Sequence, residues 1–145
     1  MGIVEDLLAN PGTYLGIDRD AGSRGSAAAR IVIAPLPGGA GVTLDYETFN
    51  ASNPDRIRGH AEHTIVARTH EGGAILVAGH LHANSVTVLR ESDPGVFVLG
   101  ADGSPFPVKI KLSMPEPGHL LHTWCYGAPG EEALERDIAD LTLST

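Results

Sequence analysis

From Thr13 onward the chain runs in short β-type stretches, each closed by a cluster of Gly, Pro, Asp, Asn or Ser. This rhythm constrains the fold more tightly than any motif in the sequence. Reading each stretch as a strand gives roughly ten, joined as a meander of hairpins. A sheet of that size tends to curl and close, because closure removes its exposed edges. The expected fold class is all-β: a roughly ten-stranded antiparallel up-and-down β-barrel with a short N-terminal helix. Residues 1–145 should form a single domain, long enough to bury a real core. A closed barrel of this length usually encloses a small apolar ligand.

The helix is expected over Ile3–Ala9. Ile3, Val4, Leu7 and Leu8 fall on one face, and Asn10-Pro11-Gly12 stops it. The strands are expected at Thr13–Arg19, Ala27–Ala34, Gly41–Phe49, Arg56–Thr69, Ala74–Ala83, Val86–Arg90, Gly95–Gly100, Phe106–Ser113, His119–Tyr126 and Ala133–Leu143. The last stretch fits helix about as well as strand, since Ala133, Leu134, Ile138, Ala139 and Leu141 satisfy either period.

Charge and composition exclude several functions. The net charge is −8, and the ten Lys and Arg form no run, so the footprint of a nucleic-acid binder is missing. The acidic balance disfavours anionic membranes, and no apolar run approaches the roughly 18 residues of a membrane helix. Residues 1–6, Met-Gly-Ile-Val-Glu-Asp, lack the basic start of a secretion signal. Asp6 also stands where a myristoylation signal has Ser or Thr. The single cysteine, Cys125, rules out an internal disulfide. A cytoplasmic location fits these features.

Alternation along the strands assigns faces. Val42, Leu44, Tyr46 and Thr48 should point inward, as should Val108, Ile110 and Leu112. In the fourth stretch, Ile57, Gly59, Ala61, His63, Ile65 and Ala67 read as the inner face. Small inward residues leave volume for a ligand.

Seven histidines supply the candidate chemistry. His80 and His82, two apart on a strand, share a face and could meet one metal ion, as in the metal-binding cupins. The carboxylate that a cupin places shortly after is replaced by Ser85, Val86 and Thr87, so no metal site is assigned. His63 is either a satisfied buried group or a polar handle for a ligand. His122, Trp124 and Tyr126 share a face as an aromatic stripe. No Ser-His-Asp or Cys-His arrangement carries a motif, and no catalytic residue is assigned. The glycines match neither phosphate-binding fingerprint.

Gly12-Thr13-Tyr14-Leu15-Gly16, after a short helix and at the head of the first strand, resembles the opening of calycin barrels. That superfamily comprises the lipocalins, the fatty-acid-binding proteins and their bacterial relatives. Many members have G-x-W-x-G there, with Tyr14 here in the Trp position. The order of elements is similar to that of the nitrobindin-like group, whose barrels are fatty-acid-binding-protein-like. The resemblance implies the barrel fold and a ligand-holding role. Nitrobindins hold haem through a His near the C-terminus, and Glu131 to Thr145 contains none. Haem would need another axial residue, such as His63, His80 or His122.

The expected function is binding of a small apolar or amphipathic molecule inside the barrel. Tyr46, His63, His80, His82, His122 and Trp124 are the expected wall groups. No nucleic-acid or membrane partner is expected, and pairing of two copies is left open. The alternatives are an isomerase, cyclase or haem-dependent enzyme on the same barrel, and a metal-dependent cupin-like enzyme.

Overall fold

The computed structural model describes residues 2–20, 25–49, 58–80, 86–99 and 107–145, and for Asp20, Arg58, Gly59 and His80 the backbone alone. Helix α1 (Ile3–Ala9) precedes ten strands: β1 (Gly12–Asp20), β2 (Ser26–Pro35), β3 (Gly41–Phe49), β4 (Arg58–Arg68), β5 (Ala74–His80), β6 (Val86–Asp93), β7 (Val96–Leu99), β8 (Val108–Glu116), β9 (His119–Tyr126) and β10 (Leu134–Leu143). Each strand pairs antiparallel with the next, and β10 returns to β1, so the barrel is closed. The stretch that fitted either period is therefore strand. Pairing on both sides, with β9 and with β1, satisfies backbone groups that a helix there would have withdrawn from both neighbours.

The glycines of the Gly12–Gly16 segment have separate steric reasons. Gly12 has φ +137°, in the region L side chains avoid. A Cβ on Gly16 would overlap the carbonyl oxygen of Asp140, because β10 crosses β1 closely there. Between them Tyr14 is fully buried and donates its hydroxyl to the Asn10 carbonyl at 2.8 Å, tying β1 to the end of α1. Asn10 in turn donates Nδ2–H to the Asp6 carbonyl at 2.9 Å.

α1 plugs one end of the barrel with Ile3, Val4 and Leu7. Leu7, Tyr14, Val42, Leu120 and Leu141 have no exposed surface there, and neither do Ile31, Leu76, Leu89 and Ile110 further along. The helix end is thus filled by side chains. At the far end lie the last residues of β1, β3, β5, β7 and β9 and the connection 127–133. No helix among the described residues is long and apolar enough to cross a membrane.

The faces of β3 and β8 follow the alternation in the sequence, with Val42, Leu44, Tyr46, Ile110 and Leu112 buried. β4 reverses its expected faces. Glu62, Thr64 and Val66 are buried, while His63 is exposed and pairs with Asp45 on the outer surface. The register with β3 fixes this. Val66, Thr64, Glu62 and His60 stand directly opposite Val42, Leu44, Tyr46 and Thr48, and directly opposed residues share a face. Ala61, Ile65 and Ala67 consequently lie on the outer face and line no cavity. Gly59 is described by its backbone alone, and Ile57 lies outside the described residues.

Candidate functional site

The far half of the interior differs from the helix end in polarity and in exposure. β4 carries the centre of it. Glu62 is 5% exposed, yet both carboxylate oxygens are occupied. Thr64 Oγ1 donates to Oε1 at 2.6 Å, and Trp124 Nε1 donates to Oε2 at 3.0 Å. His60 Nε2 lies 3.1 Å from Oε2, and His122 Nε2 lies 3.6 Å from Oε1. Burial is the largest influence on the Glu62 carboxyl and opposes its charge. The partners His122, His60 and Thr64 outweigh it and hold the group below the usual carboxylate range.

The aromatic groups stack on this carboxylate's partners. The Tyr46 ring lies parallel to the His122 ring, centroids 4.9 Å apart, and edge-on to His60 at 4.8 Å. Its hydroxyl donates to Asp18 Oδ2 at 2.8 Å. Burial first, and then the charges of Asp18, Glu62 and Asp137, push the Tyr46 phenol well above its ordinary range. Among the described residues, two buried side-chain atoms have no hydrogen-bond partner: Asp18 Oδ1 and His122 Nδ1.

Around this cluster, several inner residues near the far end are partly open to solvent. Ala27, Thr87, Leu99, Val108 and Asp137 are all half-buried, whereas their inner neighbours one step deeper, Ala29, Leu89, Phe97 and Ile110, are buried. Leu99 and Val108 with Phe97 form an apolar arc on β7 and β8. Asp18, Asp137, Trp124, His60 and Tyr46 form a polar arc from β1, β10 and β9, and from β4 and β3.

No family model matches this chain, and no curated protein matches it either. The closed ten-stranded antiparallel barrel with its short helix is consistent with a calycin-like fold, and such a barrel is compatible with ligand binding in its interior.

Of the six expected wall residues, the structure brings Tyr46, His122 and Trp124 together inside the barrel. His63 is the correction: it faces solvent. For His80 the backbone is described, opposite Glu62 in the ladder, and its side chain is not; His82 lies outside the described residues. Sequence reading missed Glu62, His60, Asp18 and Asp137. The signal for Glu62 and His60 was available in the register, because β3 alternates unambiguously and β4 must follow it. Asp18 had a weaker signal, since it shares parity with the buried Tyr14.

Two proposed haem ligands do not suit that role. His63 is outside the barrel. The His122 ring is covered by Tyr46 and its Nε2 faces Glu62, which leaves no open coordination position over that nitrogen. Among the described residues, no group of three or more His, Cys, Asp or Glu side chains could hold a metal ion. Cys125 is buried on β9 between Lys109 and Glu135 in the ladder, and burial pushes its thiol up, away from reactivity.

Proposed function

We propose that the protein binds one small amphipathic molecule in the far half of the barrel. The observation that carries this reading is the gradient along the inner wall. Leu7, Tyr14, Val42, Leu120 and Leu141 at the helix end have no exposed surface, while Ala27, Thr87, Leu99, Val108 and Asp137 near the far end are half-buried, and the far end divides into an apolar and a polar arc. Sites for small molecules have this make-up, a mostly apolar wall with a few placed polar groups. The apolar arc supplies burial, at about 25 cal/mol per Å² before the costs of association. The polar arc orients the ligand. The calycin subtype this favours is the fatty-acid-binding-protein-like one, and the single buried thiol fits a cytoplasmic setting.

The test uses the chain's one tryptophan, which sits in the site. A neutral apolar dye such as N-phenyl-1-naphthylamine should bind saturably and change Trp124 emission. Ala27→Phe should block the dye while leaving the melting temperature near that of the parent. Absence of saturable uptake by the parent protein would refute the binding reading.

A second reading, proton-transfer catalysis, is favoured by one atom. Glu62 faces His122 Nε2, which favours a proton on that nitrogen, so buried Nδ1 is left as a bare acceptor inside the barrel. Retention of any turnover by His122→Gln would argue against it.

A further inference from the structure

We propose that the outer face of β5, β6 and β7 docks an acidic amphipathic helix of a protein partner. β5 carries the first observation. Ala74-Ile75-Leu76-Val77-Ala78-Gly79 is apolar without a break, whereas an antiparallel strand with one wet face alternates. Leu76 and Ala78 are buried inside the barrel, so Ile75 and Val77 stand on the outside. The neighbouring strands extend the apolar surface. Ile65 on β4, Val77 on β5 and Val88 on β6 stand side by side in the ladder. Val88 is 43% exposed, and Val86 on the same face is 66% exposed. Contiguous aliphatic surface left open to water is costly, and such patches mark interaction sites.

The charges beside this surface set the chemistry of the partner. In the next row of the ladder Ile75, Arg90, Val98 and Lys109 follow one another from β5 to β8. Among the described residues, neither Arg90 nor Lys109 has a carboxylate partner. The chain has 18 Asp and Glu to 10 Lys and Arg. Yet among the described outer positions of β5, β6 and β7 the only carboxylate is Asp93, at the turn into β7. A partner that brings carboxylates to this face meets two unmatched cations.

The spacing suits a helix. Arg90 and Lys109 lie two strands apart, about 10 Å at the backbone. Residues seven apart on a helix are separated by about 10 Å along its axis. A helix crossing the strands can set one carboxylate over Arg90 and another over Lys109. Apolar residues three and four positions on, on the same face of that helix, then meet Val98 and Val88. Two copies of the chain meeting through this face would bring four unmatched cations together, with only Asp93 from each to answer them. A lipid surface is disfavoured, because the net charge is −8 and no aromatic side chain stands among the described outer positions of these strands.

The test uses two fluorescein-labelled helical peptides of about 18 residues with the same leucine stripe. They differ only at two positions seven apart, which are Glu in one peptide and Lys in the other. Fluorescence anisotropy at low salt should show the Glu peptide binding about tenfold tighter than the Lys peptide. Arg90→Glu combined with Lys109→Glu should reverse that order. Val88→Asp should abolish binding of both peptides at an unchanged melting temperature. Equal affinity of the two peptides for the parent protein, or no binding of either, would overturn the proposal, and that comparison needs no variant. Sedimentation of the parent protein as a dimer that Val88→Asp dissolves would overturn it in favour of a second copy. Binding to phosphatidylserine vesicles that the same variant abolishes would overturn it in favour of a lipid surface.

Discussion

Glu62 shows how a charge is kept inside a small barrel. Removing a carboxylate from water costs several kcal/mol, and this one recovers it through Thr64, Trp124, His60 and His122. The partners are as dependent on the carboxylate as it is on them. Glu62→Ala should therefore destabilise the protein by about 3–5 kcal/mol in urea unfolding, with Glu62→Gln between it and the parent. A loss below about 1 kcal/mol for the alanine variant would mean that the network is not stabilising. At Gly16 the reason is purely steric. An added Cβ runs into the Asp140 backbone rather than into a movable side chain. Gly16→Ala should cost about 1–3 kcal/mol by thermal melting, although Ala is the better residue in a strand. A neutral result would show that β1 and β10 have room to part.

At the level of elements, β4 is the informative strand. Its two faces carry similar apolar content, and the choice between them falls to its neighbour. β3 has Val42, Leu44 and Tyr46 on one side and Thr43, Asp45 and Glu47 on the other, so its orientation is not negotiable. The ladder then turns Glu62 in and Ala61 out. Ala61→Phe places a ring on the outer wall beside Glu47, so its effect on stability should stay within about 0.5 kcal/mol and dye uptake should be unaffected. A large drop in melting temperature would mean that Ala61 faces the core. β10 makes the same point in another way. Its sequence tolerates a helix, but only as a strand does it give β1 and β9 their second partners.

For the whole molecule, the interior cluster sets the pH range of stability. The Glu62 carboxyl is held below its ordinary value of 4.5 in the folded state. Its contribution is complete above that value and is lost as pH falls through the folded one. The Tyr46 phenol, and by burial that of Tyr14, are raised above 10. Their contribution is complete below 10 and is lost as pH rises through the higher folded value. Stability should therefore fall below about pH 4.5 and again above about pH 10. In Glu62→Gln the acid limb should flatten, and in Tyr46→Phe the alkaline limb should soften. An acid limb equally steep in Glu62→Gln would assign it to other carboxylates. Absorbance titration should also show that Tyr46 ionises only as the barrel unfolds.

The rhythm of turns and apolar runs determined the element order and the closed antiparallel barrel on its own. Helix α1 and strands β3 and β9 have the bounds that their local pattern implies. These features are local in origin: turn residues stop strands, and alternation of two marks a half-buried one. The interior site was legible only in part. Tyr46, His122 and Trp124 sit on strands whose alternation is clear, so their inward direction could be read. His63 and Glu62 sit on a strand whose two faces are nearly matched, and only pairing with β3 decides between them. A one-residue choice of parity exchanges every side chain between core and solvent. Polarity cannot make that choice locally, because the cost of burying Glu62 depends on donors from β9 that are sixty residues away in the chain (Trp124 at |i−j| 62) and adjacent only in the closed barrel.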